Sequence, residues 1–286
     1  MSDSDTPRRP GPWDPKPEEA LPAPRSAPAP VRARAAAEAP LDKGQHPVWA
    51  VVSTLLLGGF LWLVTGSWVI AVAAIWGLFV HEYGHVLAMN RLGMGPARIY
   101  IIPFLGGVAR SQRLPESEWH GVLVSLAGPA FGLLAAIPFL GLFIATDDGL
   151  WLQGVFAIAL INLVNLAPAP PLDGSKALGP VLARIHPLLE RAAMIAVGVL
   201  VVWWGVTHGS YIFAAFLAIS LVGHLRRGAW RPDGRALTVG EAVRSVGLFV
   251  LTAAACAGLT LAALMPVAGS LTEALALGGS YFQFGR

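Results

Sequence analysis

The stretch Trp68-Val-Ile-Ala-Val-Ala-Ala-Ile-Trp-Gly-Leu-Phe-Val-His81-Glu82-Tyr83-Gly84-His85-Val-Leu-Ala-Met89 decides how this chain is read. It is an apolar run of helical length with a His-Glu-His cluster near its end. On a helix, positions i and i+4 share a face, so His81 and His85 can reach one metal ion while Glu82 addresses a water beside it. That is the residue pattern of a zinc hydrolase. Its solvent is unusual, because Trp68–Val80 contains no charged residue. An ionisable side chain at the middle of a spanning helix costs roughly 2.5–3.5 kcal/mol on insertion scales. The cluster is therefore expected to line a protein-enclosed polar cavity within the membrane.

The rest of the composition agrees. Of 286 residues, 55% are hydrophobic and 13% charged, and the mean hydropathy is +0.61. A soluble domain of this size cannot hide so much apolar surface, which makes the class a polytopic membrane protein in contact with the lipid bilayer. The net charge of +3 comes from basic residues in short segments between apolar runs. It reports topology, and no nucleic-acid partner is expected. The single cysteine, Cys256, excludes an intramolecular disulfide and a Cys-based zinc site.

Seven apolar runs follow a Pro/Ala/Arg-rich segment, residues 1–44, which reads as a disordered cytoplasmic tail. The runs are Pro47–Val64, Trp68–Met89, Gly121–Ala145, Trp151–Leu166, Ala192–Thr207, Tyr211–Leu225 and Val246–Met265, each approaching the ~20 residues needed to span a bilayer. Arginine and lysine occupy the tail and the links 91–113, 176–191 and 226–244, and are missing from the alternate links 65–67, 146–149 and 208–210. The positive-inside rule then puts the N-terminus in the cytoplasm, the C-terminus outside and the histidine cluster toward the cytoplasmic side. Between the second and third runs, Ala97–Arg110 combines β-branched and aromatic residues with Gly106-Gly107. It predicts a short strand or β-hairpin at membrane depth, whose edge offers pairing to an unwound peptide.

Two histidines do not complete a catalytic zinc site, which usually takes three protein ligands and leaves one position open. The best candidate for the third is Asp173, which follows the break made by Pro168, Pro170 and Pro171 at the cytoplasmic end of the fourth run. Glu116 and Glu118 rival it by side of the membrane alone, although capping of the next helix suits them better. Taken by itself, Asp173 would be the N-cap of a short helix over 174–184. Zinc is inferred from the type of ligand.

With these residues in view, the chain resembles the site-2 protease family of intramembrane zinc metalloproteases. The family's H-E-x-x-H appears as His81-Glu82-Tyr83-Gly84-His85, and its N-x-x-P…L-D-G as Asn165, Pro168, Leu172, Asp173 and Gly174. Gly106-Gly107 and Ala127-Gly128-Pro129 are similar to two further family features. One departure stands out: the family often has Asn after the A-G-P stretch, where this chain has Gly132. With no PDZ-like or CBS-like segment in view, the resemblance is to the compact branch. It implies zinc held by His81, His85 and Asp173, Glu82 as the catalytic base, and Asn165 near the active site, holding substrate or stabilising the oxyanion. A polar cap at a helix end is an equally weighted reading of Asn165. The reaction implied is hydrolysis of a peptide bond in or next to a substrate's transmembrane helix, in regulated intramembrane proteolysis. The partners implied are a single-span membrane protein substrate and a possible inhibitory membrane partner.

The expected architecture is an all-α polytopic membrane protein of about seven transmembrane helices, with a three-helix catalytic core (about 67–184) inside a transmembrane domain over 45–268, and a short extracytoplasmic tail over 269–286. A bacterial plasma-membrane location fits the compact form. A metal carrier is the principal rival, but carriers tend to show internal repeats and none relates the two halves of this chain. A proteolytically inert helix binder and a Ste24-like metalloprotease rank lower; for the latter, Glu190 and Glu241 lack a companion pattern.

Overall fold

The computed structural model describes residues 44–102, 106–207, 209, 211–227, 234–270 and 272–273. The tail predicted over 1–44 lies outside them except for Gly44, as does the tip of the hairpin, and of the 269–286 tail only residues 269–270 and 272–273 are described. All described residues belong to one compact unit spanning 41–286.

The described residues form nine α-helices, one 3-10 turn and a two-stranded sheet, with the loops that join them. Helix α1 covers Pro47–Thr65 and α2 covers Trp68–Arg91. Strands β1 (Arg98–Ile102) and β2 (Gly106–Arg110) form the expected hairpin, antiparallel from Arg98 opposite Arg110 to Ile102 opposite Gly106. Helix α3 (Glu118–Gly132) runs through a 3-10 turn, Leu133–Ala136, into α4 (Ile137–Thr146). Pro129 inside α3 and Pro138 in the first turn of α4 remove two backbone donors and account for this interrupted course. Then come α5 (Leu150–Asn165), α6 (Asp173–Ile185), α7 (Pro187–Thr207), α8 (Tyr211–Arg227) and α9 (Val239–Ala268).

Among the described residues, five stretches are long and apolar enough to cross a membrane: α1, α2, α3 with α4, α7 and α9. The other two apolar runs correspond to the shorter α5 and α8, so the expected seven spans are matched by five that meet both criteria. At 1.5 Å per residue the 16 residues of α5 reach roughly 24 Å, short of a bilayer's ~30 Å hydrocarbon core. This helix is sheltered by protein: Val155, Ile158, Ala159 and Asn162 are fully buried. Helix α1 is the opposite case, with only Ser53 and Leu57 buried and with Leu55 and Leu63 left 70% and 87% exposed. A soluble helix would hide those leucines; a lipid-facing one need not.

In lipid, helices associate through close packing more than through burial of oil from water. The inward stripe of α2, Val69, Ala73, Ala74, Gly77 and then His81, Gly84 and His85, is accordingly built of small residues up to the cluster. It packs against α3 and α5, and Val69 and Ala73 join Ala135, Ala136, Val155 and Ile158 in the largest core cluster. Helix α9 closes the assembly by packing across α5, α6 and α3. Its start is capped by Thr238 and Glu241, and Arg235 makes a fork of hydrogen bonds to Glu241 at 2.9 and 2.6 Å. That carboxylate pushes the Arg235 guanidinium above its ordinary pKa.

Candidate metal centre

His81, Glu82 and His85 stand on the last turns of α2. Asp173 comes to them from the first turn of α6, with Leu172 as the N-cap, so it does not cap the helix it begins. A carboxylate in the first turn also faces the positive end of the helix dipole, which favours its charged form. The segment that returns the chain from α5 to α6 contains the prolines at 168, 170 and 171.

Among the described residues, one group of three or more side chains has the spacing to hold a metal ion: His81, His85 and Asp173. Their exposures are 2%, 6% and 5%. The Nε2 atoms of the two histidines are 3.1 Å apart, and each lies 3.1 Å from Asp173 Oδ2. Ligands about 2.0–2.1 Å from a tetrahedral zinc stand about 3.3–3.4 Å from one another. The observed triangle is that of one tetrahedral face, to within a few tenths of an ångström.

The hydrogen bonds behind the triangle fix its chemistry. His85 Nδ1 donates to the Val124 carbonyl at 2.7 Å. His81 Nδ1 lies 2.8 Å from Asn162 Oδ1, while Asn162 Nδ2 donates to the Ile158 carbonyl at 2.8 Å, which orients the amide with its oxygen toward the imidazole. Both Nδ1 atoms thus carry protons, and both Nε2 atoms turn lone pairs toward a carboxylate oxygen. Three acceptors converging in a buried space repel one another unless a cation sits among them. The donor set fits zinc. The other Asp173 oxygen is 3.5 Å from Lys176 Nζ, leaving Oδ2 to the triangle.

Two glycines make the room. A Cβ on Gly128, the glycine of Ala127-Gly128-Pro129, would lie 2.3 Å from His85 Nε2 and 2.9 Å from His81 Nε2, so α3 can pass the cluster only without a side chain there. A Cβ on Gly107 would lie 2.5 Å from Glu82 Cγ, so β2 runs directly over the Glu82 stem. Glu82 is buried at 6% exposure. It lines an apolar cavity of about 380 Å³ between α1, α2 and the hairpin, with Leu57, Trp76, Phe79, Ile99 and Ile101 among the walls.

The remaining candidates lie elsewhere. Asn165, at the end of α5, donates to the Ile161 carbonyl one turn earlier, at 3.0 Å. Glu118 is buried and accepts from the Leu237 backbone at 3.0 Å, and neither Glu116 nor His120 belongs to the metal-spaced group. Asn162 and the Val124 carbonyl are contributors that reading the sequence missed. Asn162 shares the apolar run Trp151–Leu166 with two other amides, Gln153 and Asn165, and the available signal was that a polar group at membrane depth needs a partner. A backbone carbonyl leaves no such mark.

Residues 69–148 match the family model described as Peptidase family M50. This stretch of the chain is similar to an M50 peptidase region. It contains both histidines, Glu82 and Ala127-Gly128-Pro129, and it ends before Asp173, whose place in the cluster rests on the geometry above. A putative zinc metalloprotease of Synechocystis sp. is 30% identical over 149 residues, covering 49% of this chain and 38% of that protein. A zinc metalloprotease of Methanocaldococcus jannaschii is 28% identical over 125 residues, covering 41% of this chain and 35% of its own length. The chain thus spans well under half the length of these relatives. No solved structure matches it significantly. The M50 match agrees with the resemblance read from the H-E-x-x-H motif.

Proposed function

We propose that this chain is a zinc-dependent intramembrane protease that cuts a peptide bond in or next to a substrate's transmembrane helix. The convergence of His81, His85 and Asp173 beside Glu82, in a bundle of apolar helices, is the observation that carries this reading. His81, His85 and Asp173 would hold the ion. Bound zinc supplies a Lewis acid that lowers the pKa of water and polarises a carbonyl oxygen.

The chain's own residues do the rest. Glu82 takes the proton from the attacking water and delivers it to the leaving amine. The apolar cavity ending at Glu82 admits side chains of an unwound segment from the bilayer, and the walls exclude bulk water from the bond being cut. In this reading Asn165, at the end of α5, holds the substrate or stabilises the oxyanion.

The substrate class is a single-span membrane protein, cut in regulated intramembrane proteolysis and subject to an inhibitory membrane partner. In the same reading α5 and α8 complete seven spans, the N-terminus is cytoplasmic in a bacterial plasma membrane, the C-terminus is outside, and the metal lies toward the cytoplasm. The test uses purified protein in bilayers with a panel of single-span substrates. Wild type is expected to cut within the apolar segment, to stop when a chelator removes metal and to resume on zinc addition. Glu82→Gln is expected to lose about 10²–10⁴-fold in rate with its metal retained. Equal cleavage by Glu82→Gln and wild type would overturn the assignment of the base, and metal uptake without cleavage by wild type would overturn the protease reading.

A further inference from the structure

We infer that Asn162 is a positioning residue for the metal centre, and that Gly132 is the vacancy on α3 that lets it act. The inference rests on the metal-site reading above. Asn162 is fully buried, and it is held at both ends of its amide: the nitrogen by the Ile158 carbonyl of its own helix at 2.8 Å, the oxygen by His81 Nδ1 at 2.8 Å. That arrangement selects one tautomer and one ring plane for His81 and points its Nε2 at Asp173 Oδ2. Without the amide oxygen, the His81 Nδ1–H would be left unpaired among apolar neighbours. The imidazole would then gain by moving its proton to Nε2, the nitrogen a metal needs bare.

The amide fits only because α3 has no side chain opposite it. A Cβ on Gly132 would lie 2.1 Å from Asn162 Oδ1 and 2.7 Å from both Cγ and Nδ2, and no van der Waals contact is so short. This accounts for the packing where the chain departs from the A-G-P-x-x-N pattern. The room that a residue 132 side chain would fill on α3 is filled from α5 by Asn162, one turn before the helix ends at Asn165. Gly132 touches no ligand, yet it governs one through Asn162.

The test is zinc affinity, measured by competition with a chromophoric chelator on purified wild type and on Asn162→Ala, Asn162→Asp, Gly132→Ala and the double variant Gly132→Ala/Asn162→Ala, with thermal unfolding followed in parallel. Asn162→Ala and Gly132→Ala are each expected to weaken zinc binding by about 10–100-fold, the range typical of losing a partner behind a ligand. Asn162→Asp keeps an acceptor for Nδ1 and is expected to stay within about threefold of wild type or to bind more tightly. In the double variant the Cβ at 132 has no amide to displace, so its affinity is expected to equal that of Asn162→Ala alone. Unchanged affinity in a folded Asn162→Ala, an Asn162→Asp as weak as Asn162→Ala, or a double variant with the two losses added would overturn the inference while leaving the metal centre in place. A folded wild type that takes up no zinc would overturn both.

Discussion

At Asp173 two demands on one carboxylate meet. It begins α6, where a negative charge suits the helix end, and it supplies the third corner of the triangle with His81 and His85. The sequence showed the proline break that follows α5 and precedes it. It could not show the 3.1 Å separations, which depend on α3 passing close enough for Gly128 to touch both imidazoles. The two carboxylates of the site are predicted to separate cleanly under mutation. Asp173→Ala should lower zinc affinity by more than the ~10–100-fold typical of a residue behind a ligand, whereas Glu82→Gln should leave zinc per chain at the wild-type level. Elemental analysis of both purified variants checks this, and equal zinc retention in the two would remove Asp173 from the ligand set. Asn162 escaped the sequence reading for a related reason: its meaning lies in the partner 81 residues away, not in its neighbours along the chain.

Among the elements, the hairpin is the one whose position bears most directly on Glu82, the proposed base. It was legible as strand-like from Ile99, Tyr100, Ile101 and Ile102, and the structure sets its β2 backbone on Glu82. A methyl group at 107 must displace either the strand or the glutamate stem. Gly107→Ala is therefore predicted to cut the rate by about tenfold or more, a shift of roughly 1.4 kcal/mol or more in barrier, with zinc content unchanged. Loss of zinc in this variant, or full activity, would deny the hairpin its role in placing Glu82. Helix ends were less legible than helix existence. Helix α7 begins at Pro187, before the apolar run at Ala192, and α9 at Val239, before Val246, because both helices carry charged first turns that an apolar window does not register. Helix α3 likewise starts at Glu118, where the Ser117 side chain accepts from the His120 backbone.

Across the whole molecule, alternation of links with and without arginine or lysine was the strongest topological signal in the sequence, and it predicts opposite accessibility at successive turns. In a Cys256→Ala background, single cysteines introduced at Gly66 and Asp148 should react with a membrane-impermeant maleimide on intact cells, and one at His186 should react only after lysis; the reverse pattern would invert the proposed orientation. A bundle of apolar helices enclosing two imidazoles and two carboxylates makes physical sense if an ion is there to bind them. The coordination of that ion is the most direct test of this account, read by X-ray absorption at the zinc edge of the purified wild-type protein. Two imidazoles and one or more carboxylate or water oxygens, at about 2.0–2.2 Å with no sulfur scatterer, is the predicted shell. A shell containing sulfur, or oxygen alone without imidazole scattering, would contradict a centre built from His81, His85 and Asp173.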